Sequence, residues 1–147
     1  MSQPAQLVKI GQLELNFLFD GTDPINPFVM FEFLIPPGAK VPVPHYHKHV
    51  DEVLYGLEGV TTSTVNGEIV YTGPGDRLFI PRGAVHHHDN KTDKPVKTLC
   101  VLTPCDININ YFKELGAIIQ PGVPPDPKKA GEIMERYGLI PAVAKNL

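Results

Sequence analysis

Proline and glycine cut this chain into runs too short for a helical fold. Its 147 residues carry 16 prolines and 13 glycines, and the stretches between them are alternating, β-branched or aromatic, which is how short strands read. From Leu7 to Phe19 the residues Leu13, Leu15, Phe17 and Phe19 alternate with Glu14, Asn16 and Leu18, a period of two that gives a strand one apolar face. Gly11-Gln12 turns a shorter strand into it. Phe28 to Ile35 is a second long strand, closed by Pro36-Pro37-Gly38. Val41, Pro42, Val43 and Pro44 are held extended, because a proline disfavours the helical region for the residue before it.

Val53 to Gly59 forms the next strand. Asn66-Gly67, between Thr61–Val65 and Glu68–Tyr71, is a type I′ hairpin signal. Gly73-Pro74-Gly75-Asp76 suits a type II turn. Short strands follow at Arg77–Ile80, His86–Asn90 and Lys97–Leu102. Eight or so strands at this spacing predict an all-β barrel or sandwich. After Cys105 the character changes. Ile107 to Val123 offers one helical turn at Tyr111–Leu115. A clearer helix starts at Asp126, which can cap it, with Pro127 at its first position and Ala130, Ile133, Met134 and Tyr137 as its apolar stripe. This helix is expected to pack on the outer barrel wall or on a partner subunit and to supply no ligand.

Length matches one domain, 1–147, with the barrel over about 7–105 and the helical segment over about 107–147. A net charge of -3 offers no basic field for nucleic acid or anionic lipid, so a small molecule is the expected partner. No apolar run approaches the roughly 18 residues that span a bilayer. Cys100 and Cys105 lack a second pair and the first residues lack the apolar core of a signal peptide, so a cytoplasmic protein with free thiols is expected.

All six histidines fall at 45–49 and 86–88. On a strand His45 and His47 face the same way, and Glu52 enters on the next strand of a hairpin, so its carboxylate can approach the same point. His86 is a fourth donor from a distant strand. Two or three imidazoles with one carboxylate suit a single divalent transition metal such as Fe, Mn, Ni or Zn. A six-coordinate metal with four protein ligands keeps two positions for substrate or oxygen.

These residues carry a resemblance to the cupin superfamily. The first cupin motif runs Gly38, His45-Tyr46-His47, Glu52 and Gly59, with six residues rather than five between Gly38 and His45; the second runs Gly75, Pro81, Gly83, His86 and Asn90 without departure. The resemblance implies a double-stranded β-helix, the cupin or jelly-roll barrel, here with a C-terminal α-helix. It implies His45, His47, Glu52 and His86 as metal ligands, and a homodimer. It also implies enzymes of the oxygenase, isomerase or decarboxylase kind; a dioxygenase-like reaction on a small metal-chelating substrate is expected. The alternative is a metal-dependent binding or sensor module without catalysis. His88 shares a face with His86 and, with Tyr46, is a candidate pocket residue; His87 should point away, and His49 lies in the hairpin link. Phe17, Phe31, Tyr46 and Phe79 predict a mainly hydrophobic pocket.

Overall fold

A computed structural model describes residues 4–41 and 43–142. Pro42, in the extended entry to the histidine strand, and residues 143–147 of the expected C-terminal segment lie outside the described residues. Ten strands precede the helices: β1 Gln6–Ile10, β2 Leu13–Asp20, β3 Val29–Ile35, β4 His45–His47, β5 Asp51–Glu58, β6 Thr61–Val65, β7 Glu68–Thr72, β8 Arg77–Ile80, β9 His86–Asp89 and β10 Val96–Thr103. Helices α1 Ile109–Ile118 and α2 Pro127–Arg136 follow, then strand β11 Leu139–Pro141. Two antiparallel sheets face each other, ordered β1-β2-β3-β10-β5-β8 and β11-β4-β9-β6-β7. This is the expected all-β double-stranded β-helix with helices after it.

Strand alternation builds the interior. In β3 every second residue is buried, giving Val29, Phe31, Phe33 and Ile35, and in β2 the same parity buries Leu13, Leu15 and Phe17. β10 runs between β3 and β5, with Leu102 opposite Glu52 and Cys100 opposite Leu54. The Asn66-Gly67 turn has positive φ at both residues, +48° and +84°, as a type I′ hairpin requires. Gly56 is needed for another reason. A Cβ there would lie 1.9 Å from the Gly73 carbonyl oxygen, because β5 and the turn before β8 exchange the bonds Gly56 N–H to Asp76 O and Gly75 N–H to Gly56 O.

The C-terminal segment departs from expectation. The single turn at Tyr111–Leu115 is a ten-residue helix, α1, capped by the Asn108 side chain, which accepts from the Asn110 amide at 2.9 Å. Ile109, Tyr111 and Leu115 form its buried stripe. α2 begins as expected, with Asp126 accepting from the Lys128 and Lys129 amides and Pro127 in the first turn. It packs against α1 and against β11, a strand of the five-stranded sheet. Arg136 pairs with Glu114 of α1 at 2.7 Å and the Tyr137 hydroxyl donates to the same carboxylate, so the two helices sit together, and Ala130 and Met134 line a small cavity with His45, Tyr111 and Leu115. Beyond α2 the chain forms β11, which pairs with β4 in the register Leu139–His47, Ile140–Tyr46 and Pro141–His45.

Candidate metal centre

The residue pattern His45-Tyr46-His47 is a strand of three whose outer two side chains are buried and whose middle one is half-buried. β4 pairs with β9 at His45–His86, which brings the two histidine segments side by side. Glu52 arrives on β5, from the opposite sheet. The donor atoms then meet. His45 Nε2 lies 3.2 Å from His47 Nε2, Glu52 Oε2 lies 3.1 Å from His86 Nε2 and 3.9 Å from His47 Nε2, and Glu52 Oε1 lies 3.5 Å from His88 Nε2. Donors of His45, His47 and His86 form one group within 4.8 Å, those of Glu52, His86 and His88 another, and His86 belongs to both. All five side chains are buried.

Backbone carbonyls orient the rings. His45 Nδ1 bonds the Val43 oxygen at 2.8 Å and His86 Nδ1 the Ala84 oxygen at 2.9 Å. A carbonyl only accepts, so each Nδ1 carries the proton and each Nε2 points inward. The electrostatics divide the set. Burial, then the neighbouring His86 and His47, brings His45 down to about 3, and burial brings His47 down to about 4 against the pull of Glu52. Burial also opposes charge on His86, but contact with the Glu52 carboxylate outweighs it and the pKa is raised. Burial would raise Glu52, yet bonding to His86 and His88 holds it well below the usual carboxylate range.

This donor set fits a divalent metal. The Nε2 of His45, left bare by the bond at Nδ1, lies 3.2 Å from the Nε2 of His47, so two buried ring nitrogens converge where a cation can be held. His88 Nε2 is a further buried polar atom with no hydrogen-bond partner among the described residues, and its Nδ1 meets Ser63 Oγ at 2.8 Å.

A cavity of about 80 Å³ opens from these groups. His45, His47, Glu52, His86 and His88 make its polar end; Leu15, Phe31, Phe33 and Leu102 from the barrel make its apolar walls, and Tyr111, Phe112 and Leu115 of α1 close it. Of the expected pocket aromatics only Phe31 lines this space. Tyr46 lies on the opposite face of β4, Phe79 is 59% exposed on β8, and Phe17 is buried against Phe31 and Phe112. His87 faces outward and contacts Asp89, and His49 is exposed. Sequence reasoning missed Ser63, the α1 residues and the contact of Cys100 Sγ with Glu52 Oε1 at 3.5 Å; the alternation of β10 signals the burial of Cys100 but not its neighbour, and the polar run of β6, buried at three successive residues, gives no such signal for Ser63.

A family model for the cupin domain matches residues 31–102, from β3 through β10. Among curated proteins the chain is 35% identical over 68 residues to the tetracenomycin polyketide synthase protein TcmJ of Streptomyces glaucescens, covering 46% of this chain and 45% of that one. It is 38% identical over 81 residues to quercetin 2,3-dioxygenase of Bacillus subtilis, covering 55% and 23%. The chain thus spans less than half the length of both. Among solved structures it superposes on the polyketide cyclase RemF of Streptomyces resistomycificus with a TM-score of 0.56 at 28% identity, covering 65% and 72%.

Proposed function

From a chain that belongs to the cupin superfamily, with its cupin domain over residues 31–102, we propose a mononuclear metal enzyme that acts on a small organic substrate chelating the metal, in a dioxygenase-like reaction. His45, His47, Glu52 and His86 hold the metal in this reading. The single observation that carries it is the cavity's polarity: every strongly polar group sits at one end, on donors that fit a transition metal, and the remaining walls are apolar. A bound divalent metal supplies Lewis acidity and, where redox-active, a route for electrons to oxygen. The chain's own residues do the rest. Val43 and Ala84 carbonyls aim the rings, His88 offers a polar atom beside the centre, and α1 excludes water from the site.

Cavity size bounds the substrate. At about 80 Å³ the space is smaller than the roughly 150 Å³ apolar cavity that takes up benzene, so a short enol is the substrate class that fits as the chain stands, and a single ring or anything larger requires α1 to shift. The relative named as a quercetin dioxygenase supports oxygen chemistry. The relatives named for polyketide synthesis and cyclisation support a second reading, ring closure without oxygen at the same centre. Cytoplasmic residence, a homodimer and one domain over 1–147 complete the proposal, the first on two unpaired cysteines and the second on the family resemblance.

The test is metal analysis of protein purified without chelators, followed by assay of small catechols and 1,3-diketones with the metal found, in an oxygen electrode. Turnover with stoichiometric oxygen uptake supports the first reading, and turnover without it the second. Metal-loaded protein that binds these compounds and never converts them would make the chain a binding module.

A further inference from the structure

The two oxygens of Glu52 face different neighbours. Oε2 meets His86 and His47, whereas Oε1 lies 3.5 Å from His88 Nε2 and 3.5 Å from Cys100 Sγ. These two contacts come from opposite sheets, His88 from β9 and Cys100 from β10. His88 is only 3% exposed, and its Nε2 makes no hydrogen bond among the described residues, Glu52 Oε1 at 3.5 Å being an ion-pair contact. Across the β6–β9 ladder Ser63 stands opposite His88 and places its hydroxyl 2.8 Å from Nδ1. A hydroxyl donating there leaves the ring proton on Nε2, directed at Oε1; the other tautomer would set a lone pair against a carboxylate oxygen. Cys100, buried at 1% exposure, directs its S–H at the same oxygen, with Sγ 3.5 Å from Oε1.

We infer that Ser63, His88 and Cys100 are positioning residues that hold Oε1 of Glu52 away from the metal, so that the carboxylate offers Oε2 alone. This rests on the metal-centre reading above and goes beyond it, since one-oxygen coordination leaves a coordination position that a two-oxygen carboxylate would fill. That position is the one a chelating substrate needs for its second oxygen. Partners that orient a ligand in this way commonly change metal affinity by about 10–100-fold when removed.

Cobalt(II) alone tests the inference, with no substrate required. Wild type, His88→Leu, His88→Gln, Ser63→Ala, Cys100→Ala and Cys100→Ser are titrated with Co(II) for affinity, and the carboxylate mode is read by X-ray absorption. Wild type should show one Glu52 oxygen on the metal. His88→Leu and Cys100→Ala should lose about 10-fold or more in affinity and gain a second carboxylate oxygen, Ser63→Ala should move in the same direction, and the Gln and Ser variants, which keep a donor, should stay close to wild type. Thermal melting of the metal-free proteins separates misfolding from loss of positioning; if His88→Leu fails to fold, Ser63→Ala and His88→Gln carry the comparison. Variants that bind Co(II) like wild type with unchanged ligation overturn the inference and leave the metal centre standing. Equal loss of a nitrogen ligand in His88→Leu and His88→Gln makes His88 a ligand itself and overturns it as well. A wild-type protein that takes up no Co(II) removes the metal-centre reading and the inference with it.

Discussion

Replacing Glu52 by Gln should reverse the direction in which His86 is shifted. In the metal-free protein His86 feels two opposed effects. Burial works against its charge, and the size of that effect is visible in His45, which burial and its cationic neighbours bring from 6.5 to about 3, worth about 5 kcal/mol at 1.36 kcal/mol per unit. The Glu52 carboxylate at 3.1 Å works the other way, with about 5 kcal/mol of attraction at an effective dielectric of about 20. The two nearly cancel, and the raised pKa of His86 says the carboxylate wins. Gln keeps the shape and removes the charge, so burial is then opposed chiefly by the Ala84 carbonyl bond and His86 should titrate below 6.5, on the side of His45 and His47. Imidazole 1H–15N NMR of metal-free protein across pH measures this directly. The same balance bears on the protons released on metal uptake: the His86 pKa is raised while those of His45 and His47 are lowered, so affinity should fall about tenfold per pH unit below the His86 value, and more steeply only near pH 4. A His86 that still titrates at or above 6.5 in Glu52→Gln refutes the argument, because burial would then not be what Glu52 is offsetting.

Single changes of His45, His47, Glu52 or His86 to Ala should each sharply weaken metal binding in calorimetric titration, while His87→Ala should not; full metal occupancy in His47→Ala, His86→Ala would defeat the ligand assignment. Metal-free protein should lose stability as pH falls from 6.5 toward 4, because the folded His45 and His47 titrate at about 3 and about 4 and the unfolded chain then binds more protons, at about 1.4 kcal/mol per unit for each ring. His86, raised instead, contributes stability that is full below 6.5 and fades only as pH rises through its folded value, so it does not offset the acid loss; equal urea midpoints at pH 7 and 4.5 would contradict this. Gly56→Ala should cost about 3 kcal/mol or more, since its Cβ meets the Gly73 carbonyl at 1.9 Å, and an unchanged melting temperature would show that β5 and the turn can separate. Truncation after residue 125 should remove about 1.5–3 kcal/mol for each of Met134 and Leu139 and also weaken metal binding, because β11 is lost from β4; a truncated protein with parental melting and metal affinity would count against that role.

What the sequence made legible is the part governed by local rules. The period of two places His45 with His47, the hairpin brings Glu52, the turns at Asn66-Gly67 and Gly73–Asp76 follow from glycine's tolerance of positive φ, and Asp126-Pro127 starts α2. What it hid depends on neighbours distant in the chain. Phe79 was expected in the pocket for being aromatic, yet strand parity turns it outward while Ile80 is buried. Ile107 to Val123 shows only a turn at Tyr111–Leu115, the Asn108 cap emerging with the structure, and nothing local says that Tyr111, Phe112 and Leu115 would line the cavity. Leu139-Ile140-Pro141 reads as the stop of a helix and becomes a strand only because β4 presents an edge to it.

That last pairing has a consequence for biosynthesis. β4 leaves the ribosome early, with its sheet neighbours β9 and β11 still to come, and β11 emerges after both helices. Chains fold as they appear, and a strand with an unpaired edge is open to pairing with another chain. Until residues 139–141 have been made the histidine strand is therefore exposed along one side, and premature termination before residue 139 leaves it that way. The histidine strand is made before both of its sheet neighbours, so the donors it carries are enclosed only after residues 139–141 have been made.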